Sequence, residues 1–344
     1  MRVGLADLPA QYAALKPEID AAVQRVLASG HFILGDEVAA FEREVAADHQ
    51  IAHAVGVSSG SDALLAALWA LGIGPGDEVI TPAFSFFAAA GAIARLGATP
   101  VFADIDPSTF NLDPASSLSK ITSRTKAIVP VHLFGRPCAI TSTLPIIEDA
   151  AQAYGSSLGA LATLSFFPTK NLGAAGDAGM VLVADPELAD QLRLLRSHGA
   201  RPKYVHHVVG ANLRLDALQA AILRVKRPHV AAWTAQRRAN ANRYRELLAG
   251  TPLVLPTDAP NHVWHHFVVR APKRDELRAF LATREIETEV YYPRALHLQP
   301  CFGGEEGSLP EAERACREVL ALPIHAQLDE DQSQHVGDSI RAFY

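Results

Sequence analysis

For the first 185 residues, short apolar runs alternate with helical patterns, and this alternation constrains the fold more than any other feature. The runs are His53–Val57, Glu78–Thr81, Thr99–Asp104, Ala127–Leu133, Pro145–Glu148, Thr163–Phe167 and Gly179–Ala184. They are β-branched and lack period-two alternation, as expected of strands buried on both faces. Between them, Asp62–Leu71 sets Leu64, Leu65, Leu68 and Leu71 on one helical face. Phe86–Leu96 is apolar all round and reads as a buried helix. Strand–helix alternation predicts an α/β fold with a mostly parallel, seven-stranded sheet covered on both sides.

After Pro186 the pattern changes. Ala189–Ser197 reads as a helix, and Leu215–Ala249 as a long charged helical stretch broken at Pro228. Beyond Pro252 come a strand (His265–Arg270), a helix (Lys273–Arg284), a strand (Glu287–Tyr291) and a last helix from about Asp329. We therefore expect a large α/β domain with its N-terminal segment over residues 1–228. Residues 229–344 should form a linking helix and a small C-terminal α+β domain. The formal net charge of −6 argues against a nucleic-acid partner, so any anionic ligand needs a local site. Cys138, Cys301 and Cys316 form no CxxC pair and read as reduced thiols. Asp7 precedes any apolar core, and the longest apolar run, Phe84–Ala94, is far short of the ~18 residues that suggest a membrane span. A cytoplasmic protein is expected.

Four stretches fall at the C-terminal ends of predicted strands, the edge where open α/β sheets bind ligands. VSSGSDALLAAL (Val57–Leu68) leads a small-residue loop into a helix. Its free N–H groups suit a phosphate, with Gly60 giving close approach and Ser59 and Ser61 adding hydroxyls. Plain capping by Ser61 or Asp62 explains it equally simply. In IIEDAAQAYG, Asp149 closes a buried strand, which is costly unless a cation or several donors meet it. The alternative is a helix N-cap. In TPAFSFFAAAGAI, one of Phe84, Phe86 and Phe87 could stack on a flat ring, or all three could be core. SFFPTKNLGAAGDAGM sets Lys170 among Phe166, Phe167, Gly173, Gly176 and Gly179. A partly desolvated Lys is a Schiff-base nucleophile; a loop Lys between glycine turns is the bland reading. Anion cradle, ring stacker, pyridinium partner and Schiff-base amine are together the parts that pyridoxal phosphate requires.

The chain resembles the DegT/DnrJ/EryC1/StrS aminotransferases, pyridoxal-phosphate (PLP) enzymes of the aspartate-aminotransferase-like fold type I. The resemblance is carried by SSGSDAL, TPAFSFFAAAGAI, VFADIDPSTFNLDP, VHLFGRP, EDAAQAYG, SFFPTKNLGAAGDAG, GANLRLDALQAAIL, YYPRALHLQPCF and EVLALPIH. It implies that Lys170 holds the cofactor as a Schiff base and shuttles a proton. It also implies that Asp149 keeps the pyridine nitrogen protonated, Gln152 meets the ring hydroxyl and Phe86 stacks on the ring. Gly60, Ser61 and Ser165 would hold the phosphate, joined by Asn212 of a second subunit, so a homodimer with shared active sites is expected. The implied reaction moves an amino group from L-glutamate to a nucleotide-linked keto-sugar in a ping-pong scheme. A free cyclitol ketone of keto-inositol type, or a non-catalytic PLP-binding regulatory role, are the alternatives.

Some features depart from the family pattern. The segments 136–145 and 156–162 are short, which should thin one sheet face or the approach to the site. Tyr291–Tyr292 stands where many relatives have His–Tyr. His262, His265 and His266 could suggest a metal, but we expect a structural role and no metal. The basic loop around Arg201, Lys203, His206 and His207 could be merely solvated or could meet a nucleotide diphosphate.

Overall fold

The computed structural model describes residues 1–344. Helix α1 (Leu8–Ser29) starts where Asp7 accepts the Ala10 N–H and stops at Gly30, whose left-handed φ of 67° ends the turn. After α2 (Asp36–His49), strands and helices alternate: β1 (His53–Val57), α3 (Gly60–Ala70), β2 (Glu78–Pro82), α4 (Ala88–Arg95), β3 (Thr99–Ala103), α5 (Pro114–Ser119) and β4 (Thr125–Ile128). Then come β5 (Glu148–Asp149), β6 (Leu161–Ser165), β7 (Gly179–Val183), α6 (Pro186–Leu195) and α7 (Ala217–Lys226).

The strands run in the order β3-β2-β4 and β5-β6-β7-β1, and the two sets meet through parallel bridges at Ile128–Ile146 and Val131–Asp149. The result is one seven-stranded sheet in which β7 is antiparallel to both neighbours. Both faces are covered. Val181 and Val183 of β7 pack under α3 and α6, while Met180 and Leu182 pack towards α2 and α7. This period-two division explains why the strands read as unbroken apolar runs. No α-helix crosses between β4 and β5 or between β5 and β6. Cys138, Ile140 and Leu144 of the short 136–145 segment cover that part of the sheet instead.

Arg227–His229 is a 3₁₀ turn around Pro228, and α8 (Val230–Leu247) leads into the C-terminal half. There β8 (Phe267–Arg270) pairs antiparallel with β9 (Val319–Leu322), flanked by α9 (Arg274–Thr283), α10 (Pro310–Glu318) and α11 (Glu330–Phe343). Its core continues into the large sheet: Tyr244, Trp264, Phe267 and Leu320 share one cluster with Phe84, Val131 and Phe134. The N-terminal Val3 also joins this half, in a bridge to Ile286. Three expectations need correction. Phe86–Leu96 is not a helix buried all round: α4 begins at Ala88, and Phe86, Phe87, Ala94 and Arg95 are exposed. Glu287–Tyr291 is not a strand and makes a single bridge, Glu289–Ala321. His262–His266 is irregular, with Trp264 at φ 50°, and β8 begins only at Phe267. No helix is long and apolar enough to cross a membrane.

Candidate active site

The four stretches converge at the C-terminal edge of the parallel strands. At the start of α3, Ser59 is the N-cap: its hydroxyl accepts the Asp62 N–H at 3.1 Å, and its carbonyl takes the Ala63 N–H. Capping therefore falls to Ser59, not to Ser61 or Asp62. The N–H groups of Gly60 and Ser61 have no intrahelical acceptor and carry the positive end of the helix dipole. A Cβ on Gly60 would stand 2.5 Å from the Ser165 Cβ and 3.0 Å from its hydroxyl. A Cβ on Gly179 would stand 2.2 Å from the Ser59 carbonyl oxygen. The two glycines let α3 reach the ends of β6 and β7, setting its free N-terminal N–H groups against Ser165, donors of a kind that suit an anion.

Asp149 ends β5 beside Thr163 of β6 and is 4% exposed. Its Oδ1 accepts the Ala151 N–H at 3.1 Å, yet burial pushes the carboxyl above its usual range. It does not begin a helix, because residues 150–155 form turns. Lys170 follows β6 in a tight loop, its N–H donating to the Phe167 carbonyl at 2.8 Å. The side chain retains partial surface access, but its amine is desolvated, which brings it down to about 8; the Asp149 charge pulls the other way. An amine and a carboxylate thus lie close enough to feel each other's charge, each shifted towards neutrality.

Gln152 is oriented by its partners. Its Oε1 accepts the Phe134 N–H at 2.6 Å and its Nε2 donates to the Tyr292 hydroxyl at 3.2 Å. One amide hydrogen remains for a ligand. Among the three phenylalanines the structure makes a choice. Phe84 is buried against Phe110, Phe134 and Tyr292, and Phe87 stacks on Phe302 at 5.6 Å. Phe86 is 58% exposed and only tilted against Tyr292 at 6.3 Å, so its ring is open to stack on a flat group.

Asn212 lies farther out. With Ile33, Ser58, Asp177, Arg214, Asp216 and Gln219 it lines a polar cavity of about 360 Å³, next to the start of α3 of its own chain. The Ser58 N–H donates to the Leu213 carbonyl, and the Arg214 Nε donates to the Asn212 Oδ1.

The three histidines are separately occupied. His262 lies flat on Trp264 at 3.9 Å and accepts the Trp264 N–H. His265 Nδ1 meets Asn171 Oδ1 at 3.0 Å, and His266 stacks on Tyr291 at 4.4 Å. Sequence reasoning passed over His132 and Asn171. His132 Nδ1 accepts the Cys138 N–H at 2.7 Å, and its Nε2 faces Glu148 at 3.4 Å, beside Asp149. Asn171 ties the lysine loop to Val263 and His265. Their places inside VHLFGRP and TKNLG were the available signal.

The residues present fit pyridoxal phosphate: a cradle of N–H and hydroxyl donors, an open aromatic ring, a buried carboxylate and a desolvated amine. A sequence model of the DegT/DnrJ/EryC1/StrS aminotransferase family matches residues 13–341. A Geobacillus stearothermophilus protein named pleiotropic regulatory protein is 52% identical, covering 100% of this chain and 99% of its own. That alignment spans 368 positions against 344 residues here, so this chain lacks stretches its relative carries. The dTDP-3-amino-3,4,6-trideoxy-alpha-D-glucose transaminase of Streptomyces venezuelae is 47% identical over 99% of this chain and 96% of its own. Among solved structures, S. venezuelae DesV in complex with a ketimine intermediate superposes with a TM-score of 0.95 at 45% identity, covering 99% of this chain and 98% of that one. Fold, site chemistry and relatives agree that this chain belongs to the DegT/DnrJ/EryC1/StrS family and is a pyridoxal-phosphate-dependent aminotransferase.

Proposed function

We propose that the enzyme moves an amino group from L-glutamate to a nucleotide-linked keto-sugar, in two half-reactions that use the same site. The observation that carries aminotransfer is the desolvated Lys170, brought down to about 8, within electrostatic reach of the buried carboxylate of Asp149. Support for the acceptor comes from the S. venezuelae relative, named for a dTDP-amino-sugar. When bound, the cofactor supplies an electron sink. Lys170 would hold it, and its Nζ would take up and return a proton as general base and acid. Asp149 would keep the ring nitrogen protonated, Gln152 would donate to the ring hydroxyl, Phe86 would pack on the ring, and Gly60, Ser61 and Ser165 would hold the phosphate.

The working unit in this reading is a homodimer with shared sites, Asn212 reaching the partner's phosphate cradle. Support comes from exposed apolar side chains near that cavity in the chain: Phe32 and Ile33, the latter lining the cavity, and Tyr204, Val205, Val208 and Val209 in the loop that leads to Asn212. The name of the Geobacillus relative favours a second reading, a PLP protein with a regulatory role. One experiment separates the two. The visible absorbance of the holoenzyme should shift on adding L-glutamate and return on adding a nucleotide-linked keto-sugar. Cofactor bound without a glutamate shift supports the regulatory reading, and return only with keto-inositols supports a cyclitol acceptor.

A further inference from the structure

Lys226 is a buried cation with no role in the chemistry above. At the C-terminal end of α7 it is 7% exposed, and burial pushes its ammonium below the usual range with no carboxylate to offset this. A buried, unpaired Lys is costly. The end of the helix dipole offsets part of the cost. The one hydrogen bond its Nζ makes goes to the Gly173 carbonyl, at 2.8 Å. Gly173 is the far end of the loop that holds Lys170. A Cβ there would stand 2.1 Å from the Pro168 carbonyl oxygen, so the loop closes on itself at this point. The Ala174 N–H completes the closure by donating to the Phe166 carbonyl at 2.8 Å.

A second contact comes from the same helix. Gln219, seven residues before Lys226 and so on the same face, accepts the Ala175 N–H at 2.9 Å. On the opposite flank, Asn171 fastens the loop to Val263 and His265. We infer that Lys226 is a positioning residue: its ammonium, docked on the Gly173 carbonyl, fixes the loop that holds Lys170 near Asp149. The part of the inference that concerns turnover rests on Lys170 as the reacting amine; the part that concerns loop order does not.

The test compares wild type with Lys226→Met and Lys226→Arg, the second keeping a donor of similar reach. Hydrogen exchange of the cofactor-free chain should rise about tenfold or more in peptides covering residues 166–176 of Lys226→Met and stay unchanged elsewhere. With L-glutamate and the holoenzyme, the maximal rate of the half-reaction should fall about tenfold or more, with half-saturation changed less than about twofold. Lys226→Arg should recover most of both. Wild-type loop exchange and rate in Lys226→Met would overturn the inference, as would exchange raised uniformly across the chain. Should Lys226→Met fail to fold, Lys226→Gln replaces it under the same criteria. A wild type that binds cofactor but gives no glutamate shift would sink the proposed reaction and leave the exchange result standing on its own.

Discussion

The amine of Lys170 and the carboxylate of Asp149 are both held where their charged forms are disfavoured, and each makes a separate prediction. Lys170→Ala should leave the cofactor unlinked, so that borohydride reduction no longer fixes it to the chain. The glutamate half-reaction should slow by about 10²–10⁴, the usual contribution of a positioned acid–base group; retained fixation would refute the anchor assignment. The shift from 10.5 to about 8 has a consequence for stability. Between those values the unfolded chain binds more protons at this position than the folded one, so stability rises with pH across that window. Unfolding midpoints of the cofactor-free chains, followed from pH 8 to 10.5, should rise more steeply in wild type than in Lys170→Met, and equal slopes would refute the shift. For Asp149 the burial cost falls on the ionised form. Asp149→Asn should therefore melt at a higher temperature than wild type without cofactor, while its half-reaction slows by about 10²–10³. A variant that is both less stable and fully active would contradict the reading of Asp149 as a strained functional group.

At the level of elements, the cradle depends on how closely α3 approaches β6. Gly60→Ala places a methyl 2.5 Å from the Ser165 Cβ, and overpacking of this kind costs about 1–3 kcal/mol. Helical content should be retained while cofactor affinity drops about tenfold or more, the equivalent of about 1.4 kcal/mol. Equilibrium dialysis that returned wild-type affinity would remove Gly60 from the phosphate site. The strands of the large sheet were legible because apolar runs between helical patterns have few alternatives. The small half was less so. The four residues of β9 lie next to the charged α10, with no turn signal between them, and their pairing with β8 is a long-range contact that local pattern does not encode. Glu287–Tyr291 has strand composition, but only Glu287, to Val3, and Glu289, to Ala321, find backbone partners. In the site, the sequence placed Lys170, Asp149 and Gly60 at one sheet edge. It could not choose among Phe84, Phe86 and Phe87 from the residues alone, because packing against Phe110 and Phe302 decides that. Lys226 was invisible for the same reason: nothing near it in sequence is what it touches.

At the scale of the whole molecule, the proposed dimer assigns each Asn212 to the partner's cradle, and that assignment is testable. Within one chain Asn212 shares a cavity with Ser58, beside its own α3, while the proposed dimer sends it to the partner. In an isologous dimer each interface contact occurs twice, so if Asn212 crosses the interface it does so in both directions. Hybrids distinguish the two placements. Lys170→Ala and Asn212→Ala proteins, each weak alone, would be unfolded together in equal amounts and refolded. If Asn212 acts across the interface, each mixed dimer has one site with both defects and one with neither. Random pairing makes half of the dimers mixed, so activity should recover to about a quarter of wild type. If Asn212 serves its own chain, each site of the mixed dimer carries one defect and nothing is recovered. The same experiment tests the dimer itself, because a monomer cannot complement at all. Recovery that disappears when Tyr204 and Val209, 80% and 85% exposed, are replaced by Asp would place those side chains in the interface that completes the site.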